Sequence, residues 1–139
     1  MRSNLIAVAC ATTLAVTGTA RADEPANKWE QGADPVFIAS GLHSGDLYVS
    51  CGQGAGMAFV SIAARDGHKL VIRGGSVTGV SHEHAMLQGR AREWLELADP
   101  VWQAALADGA LTVDGIRYPF ATERDKRYFG LMMRICTPH

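Results

Sequence analysis

Hydrophobic positions in this chain fall into short runs separated by glycine and turn residues, a pattern that predicts strands before helices. Leu47-Tyr48-Val49-Ser50-Cys51 alternates and is rich in β-formers, and Met57 to Ala64 sets Phe59, Ser61 and Ala63 opposite Val60 and Ile62. Asp66-Gly67 is a hairpin signal, followed by an expected strand at Lys69-Leu70-Val71-Ile72-Arg73. Gly74-Gly75 interrupts, and Ser76 to Val80 resumes the β pattern. The first half therefore reads as an antiparallel meander. Ahead of it, residues 23–35 are polar and read as an arm whose Trp29 tucks against the body. Val36-Phe37-Ile38-Ala39 reads as a strand or turn edge, and Gly41 to Asp46 has loop composition.

The second half mixes periods. Residues 85–98 fit a helix and a strand equally, until Pro100 ends the element. Asp99 as N-cap with Pro100 at the first helical position predicts a short helix that stops at Gly109. Leu111-Thr112-Val113 and Ile116-Arg117-Tyr118 flank Asp114-Gly115, a second hairpin signal. Thr122 can cap a last helix, with Glu123 and Asp125 favouring its positive end. Tyr128, Leu131-Met132 and Ile135 recur at helical spacing and predict its apolar face. The sum is an α+β fold: a small antiparallel sheet or sandwich covered by a C-terminal helix. Residues 23–46 form the arm and first edge segment, and residues 47–139 one globular domain.

The first 22 residues follow a different rule. Arg2 gives a positive start, Leu5 to Ala11 and Leu14-Ala15-Val16 an apolar stretch, and Ala20-Arg21-Ala22 a small-residue cleavage site. Thr12, Thr13, Thr17, Gly18 and Thr19 break that stretch below the roughly 20 residues that span a bilayer. A signal peptide cleaved near Ala22-Asp23 is expected, delivering the protein to the bacterial periplasm or outside. No later segment is apolar enough to span a membrane.

Cleavage changes the composition. The full chain has 139 residues, 13 Lys+Arg, 14 Asp+Glu and three cysteines. Without residues 1–22, Arg2, Arg21 and Cys10 are lost, leaving 117 residues, 11 basic against 14 acidic groups and two cysteines. A net charge of −3 argues against a nucleic-acid partner. Cys51 and Cys136 are expected to pair in an oxidising compartment, since no C-x-x-C motif offers them redox work. Closing a loop of that length is worth roughly 4 kcal/mol in the chain-entropy model.

Candidate chemistry is sparse. His82-Glu83-His84 brings two imidazoles together, and on a strand His82 and His84 would share a face. Zinc or copper would suit them, with His43, His68 or His139 as a third ligand. Cys136-Thr137-Pro138-His139 lacks the axial Met of a blue-copper loop. Gly52-x-Gly54-x-Gly56 follows a strand but has the wrong spacing for a nucleotide loop. His43, Ser44 and Asp46 are too close in one loop to make a hydrolytic line, and no G-x-S-x-G is present. Arg124, Lys126, Arg127 and Arg134 read as a solvated helix face, with Arg90 and Arg92 elsewhere. Trp29, Trp94 and Trp102 are candidates for a binding surface.

The strand ending in Cys51, the β-rich middle, the segment Ala104 to Val113 and the last helix running to Cys136 resemble, over residues 47–136 in outline, small exported bacterial proteins with two structural cysteines. These are the invasion-associated locus B type and the type VI secretion-associated accessory type. The resemblance implies a non-catalytic role. The expected function is a periplasmic accessory module, of inhibitor or immunity type, that recognises a protein or an envelope component. A metal-binding protein using His82 and His84 is the alternative, and a hydrolase assembled only in three dimensions is third.

Overall fold

A computed structural model describes residues 28–37, 39–51, 56–64 and 66–137. The expected signal peptide, Gly52, Gly54 and His139 lie outside the described residues. Four strands run up and down from the N-terminal side: β1 (Glu30–Ala33), β2 (Ser40–Ser44), β3 (Leu47–Cys51) and β4 (Met57–Ala63). The chain then forms β5 (Ile72–Gly74), β6 (Val77–Thr78), β7 (Glu83–Leu87) and β8 (Arg90–Glu96). Helix α1 (Pro100–Asp108), β9 (Ala110–Val113), β10 (Ile116–Pro119) and helix α2 (Glu123–Cys136) complete it. All pairing is antiparallel, in a six-stranded sheet ordered β1-β2-β3-β4-β8-β7 and a four-stranded sheet ordered β10-β9-β5-β6. The α+β class, the antiparallel sheets and the helix at the C-terminus are as the patterning predicts.

Three expectations change. Residues 41–44, read as loop, fall in β2, and the stretch read as arm and first edge segment thus carries two strands, with β1 at the sheet edge. The meander also stops at β4, because the next strand, β5, pairs with β6 and β9 in the other sheet and not with β4. Lys69 to Val71 do not pair as a strand: the amide of Leu70 donates to Glu93 Oε2 at 3.0 Å and that of Val71 to Asp114 Oδ1 at 2.9 Å. Carboxylates thus take the hydrogen bonds a neighbouring strand would have taken. Finally, residues 85–98 resolve into a hairpin, β7–β8, turned by Gln88 (φ 49°) and Gly89 (φ 78°). Asp114 and Gly115 have the same pair of positive φ values, the geometry of a tight two-residue hairpin.

Both helices start where their caps predict. Asp99 accepts from the amide of Val101 at 2.8 Å, and Thr122 Oγ1 from that of Asp125 at 3.1 Å. Helix α1 lies on β5 so closely that a Cβ at Gly74 would stand 2.4 Å from Ala105 N and 2.5 Å from Val101 O.

The apolar face of α2 is rotated from the expected one. Phe129, Met132, Met133 and Cys136 are buried, whereas Leu131 (43% exposed) and Ile135 (65%) face solvent. The reason is the disulfide. Cys136 is bonded to Cys51 at the end of β3, Cα–Cα 5.5 Å, and that bond turns the helix face bearing Phe129 inward. Phe129 meets Trp29 and Phe120 at ring separations of 5.8 and 4.8 Å. Trp29 and Trp102 are both fully buried, their indole N–H groups donating to Pro119 O (3.0 Å) and Glu96 O (2.8 Å). They belong to the core and not to a binding surface. No helix among the described residues is long and apolar enough to cross a membrane.

Candidate functional site

Strand register divides the six-stranded sheet into two faces, because paired residues in antiparallel strands point the same way. Leu42, Val49, Val60, Glu93 and His84 align on the inner face. On the outer face Ser50, Phe59, Trp94 and Glu83 align, beside a row of Tyr48, Ser61, Arg92 and Ala85. This outer face is only partly covered. The segment joining β1 to β2 folds across it, setting Phe37 edge-on to Phe59 at 6.0 Å.

Asp34 holds that segment down. Its Oδ1 accepts from the amides of Val36 and Phe37, each at 2.9 Å. Arg90 stands 3.6 Å from its other oxygen, and donates to Asp46 Oδ1 (2.7 Å), Asp46 O (2.8 Å) and Ser61 Oγ (3.0 Å). Burial pushes the Asp34 carboxyl up, but hydrogen bonds from Ser61 and the two amides, with the Arg90 charge, outweigh it and leave it below the ordinary carboxylate range.

Next along β8, Arg92 is treated differently. Its guanidinium lies 4.2 Å from the Phe37 ring centre, 5.1 Å from Trp94 and 5.4 Å from Phe59. Three rings thus bed one cation. Its Nε is buried and has no hydrogen-bond partner, and among the described residues neither Arg92 nor Glu83 forms an ion pair. Beside it opens a solvent-facing cleft of about 530 Å³, lined by Met57, His82, Glu83, Arg92 and Trp94. That volume is in the range of small-ligand sites.

Comparison with protein-family models, with curated proteins and with solved structures finds no match to this chain.

The predicted histidine pair does not converge. Strand β7 begins at Glu83, so His82 lies outside it and strand alternation does not carry through. His82 stands on the cleft rim, 3.4 Å from Glu96, while His84 points to the inner face. There His84 Nδ1 hydrogen bonds with Glu93 Oε2, and its Nε2 donates to Gly67 O at 3.1 Å, so both ring nitrogens are engaged within the protein. Glu93, fully buried, also accepts from Ser81 Oγ at 2.7 Å.

The proposed third ligands are apart as well. His43 stacks on Tyr48, and His68 bridges Asp66 to Asp114. No group of three or more metal-ligating side chains occurs among the described residues. The hydrogen bonds to Asp66 and then Asp114 raise the His68 pKa to about 9. His43 and Ser44 point to opposite faces of β2, and Asp46 is committed to Arg90, so these three form no catalytic line. In the basic cluster, Arg124 lies over Tyr128 at 4.9 Å and Lys126 reaches Glu123 at 3.6 Å, on the exposed side of α2.

Of the tryptophans, Trp94 alone reaches the cleft, half-buried against Phe59 at 4.8 Å. Arg92 carries the site's positive charge, and the sequence gives it one signal: Arg90, Arg92 and Trp94 alternate along one strand face.

Proposed function

We propose that this protein is a non-catalytic binding module, exported to the bacterial periplasm or beyond, that recognises a protein or an envelope component through the Arg92–Trp94 cleft. One observation carries the reading: a cation held in place on three aromatic rings at an open cleft, with no acidic partner among the described residues. Arg and Trp are the residue types that dominate binding energy when partly desolvated, and Arg92 and Trp94 are neighbours on one face. Export is supported by the Cys51–Cys136 bond, which is at home in an oxidising compartment. The test is retention of the purified protein by bacterial periplasmic extract and by washed envelope, compared with Trp94→Ala. Wild-type retention by one fraction, lost in the variant, supports the reading. Equal retention of both proteins in every fraction refutes it.

A further inference from the structure

The cleft carries two charges, and they are placed for one kind of ligand. Glu83 is paired across the strands with Trp94, and Arg92 lies two residues from Trp94 on the same face. Glu83 and Arg92 are therefore diagonal neighbours, whose separation in a sheet is about 7–8 Å. They do not close on each other. Arg92 is drawn aside onto Phe37, and neither residue forms an ion pair among the described residues. Trp94, opposite Glu83 and beside Arg92, and Met57 supply the apolar part of the cleft lining.

Resting on the binding reading above, we infer that the cleft takes an α-amino-acid centre carrying both its charges, the carboxylate on Arg92, the ammonium on Glu83 and the side chain against Trp94 and Met57. The Arg92 and Glu83 side chains both reach the same cleft, so one such centre can make a charge-assisted hydrogen bond of about 2.8 Å to each. An anion alone would meet Glu83, and a cation alone would meet Arg92. The zwitterion satisfies both. An ordinary peptide end fails the same test, since an N-terminal residue has lost its carboxylate to an amide and a C-terminal residue its ammonium. Two sources remain: a free amino acid, or an α-amino-acid centre hanging by its side chain from a longer envelope component.

The purified protein reports binding directly. Its three tryptophans are Trp29 and Trp102, both buried, and Trp94 at the cleft, so a ligand-induced fluorescence change reads the site. Titrations would use L-leucine as the free centre and Nε-acetyl-L-lysine as a centre tethered through its side chain. N-acetyl-L-leucine and L-leucinamide each lack one charge. Saturable binding of L-leucine or Nε-acetyl-L-lysine is expected, with each one-charge analogue at least about tenfold weaker, the worth of one charge-assisted contact. Glu83→Gln should weaken L-leucine by about tenfold and leave N-acetyl-L-leucine unchanged. Glu83 is exposed, so this variant tests the site without disturbing the core.

Tighter binding of Nε-acetyl-L-lysine assigns the tethered source, and tighter binding of L-leucine the free one, which keeps the site for the charged centre but replaces the protein or envelope component as its ligand. No saturable change with either, or equal binding of the one-charge analogues, overturns the inference. If Trp94-dependent retention by extract or envelope persists in that case, the ligand assignment alone falls. If both fail, the binding reading falls with it.

Discussion

Arg90 and Asp34 give the sharpest stability test. Asp34 is 1% exposed and Arg90 is 5% exposed, whereas the side chain of Asp46, the other acid on Arg90, is half in water. Replacing Arg90 by Met keeps an unbranched apolar stem but removes the guanidinium that lies over the Tyr48 ring, and with it the charge. Asp46 can then turn to solvent. Asp34 cannot, because the amides of Val36 and Phe37 hold it in the turn under the sheet. The variant thus leaves one buried carboxylate without its cation, a change that costs about 3–5 kcal/mol. Against a typical total of 5–15 kcal/mol this is a large shift.

The charge contribution can be separated from lost packing. In an Asp34→Asn background the turn keeps its acceptor oxygen but carries no charge, so Arg90→Met should cost about 1–3 kcal/mol less than in the wild type. Urea unfolding of the four proteins at pH 7 measures both quantities. The sign with pH follows from the lowered Asp34 pKa: its stabilisation is present above the unperturbed value of 3.8 and is lost as pH falls through the folded value. The difference between wild type and Arg90→Met should therefore narrow below pH 4. A cost below about 1 kcal/mol, or the same cost in both backgrounds, would refute the argument that Arg90 is there to neutralise Asp34.

Three further outcomes follow. Cys51→Ser with Cys136→Ser opens a loop closed over 85 positions, and should lower unfolding stability by about 4.5 kcal/mol, read as a fall in the urea midpoint. His68 has a folded pKa of about 9 against an ordinary 6.5, so its stabilisation is complete below 6.5 and disappears as pH rises through 9. Melting curves of wild type and His68→Gln should converge across that window, and a constant gap would contradict the bridge to Asp66 and Asp114. Gly74→Ala drives a methyl into the backbone of α1 and should destabilise by about 1–3 kcal/mol, by chemical denaturation, although alanine suits most other strand positions better than glycine does.

What the sequence made legible was local. The caps Asp99 and Thr122 and the Asp114-Gly115 turn act within a few residues, Cys51 and Cys136 pair as their isolation from any C-x-x-C motif suggests, and each stands where expected. What it hid depends on distant partners. The period of α2 allowed either Leu131 and Ile135 or Phe129, Met132 and Met133 as the buried stripe, and a bond to Cys51 chose between them. The span from Lys69 to Val71 looks like a strand until Glu93 and Asp114 take its amides. His82 and His84 are two apart, yet the strand begins between them and sends them to different faces.

The candidate site belongs to this second class, and β8 explains why. Its sequence Arg90-Ala91-Arg92-Glu93-Trp94-Leu95 sends Glu93 to one face and both arginines to the other, so each face of the sheet carries charge away from water. Burial alone does not separate structural charge from functional charge, because a buried ion needs partners in either case. The partners separate them. Glu93 has Leu70 N, Ser81 Oγ and His84 Nδ1, all from this chain, and Arg90 has Asp34, Asp46 and Ser61. Glu93's set is complete within the fold; Arg90's set ties β8 to the Asp34 turn, with Asp34 Oδ2 at 3.6 Å as an ion-pair contact and not a hydrogen bond. Arg92, between them in sequence, has rings on which to lie and a buried Nε whose hydrogen no acceptor receives among the described residues. Among the described residues an orphan donor and an unpaired Glu83 thus stand beside an open cleft, and that contrast with Glu93 and Arg90 is what supports the binding reading.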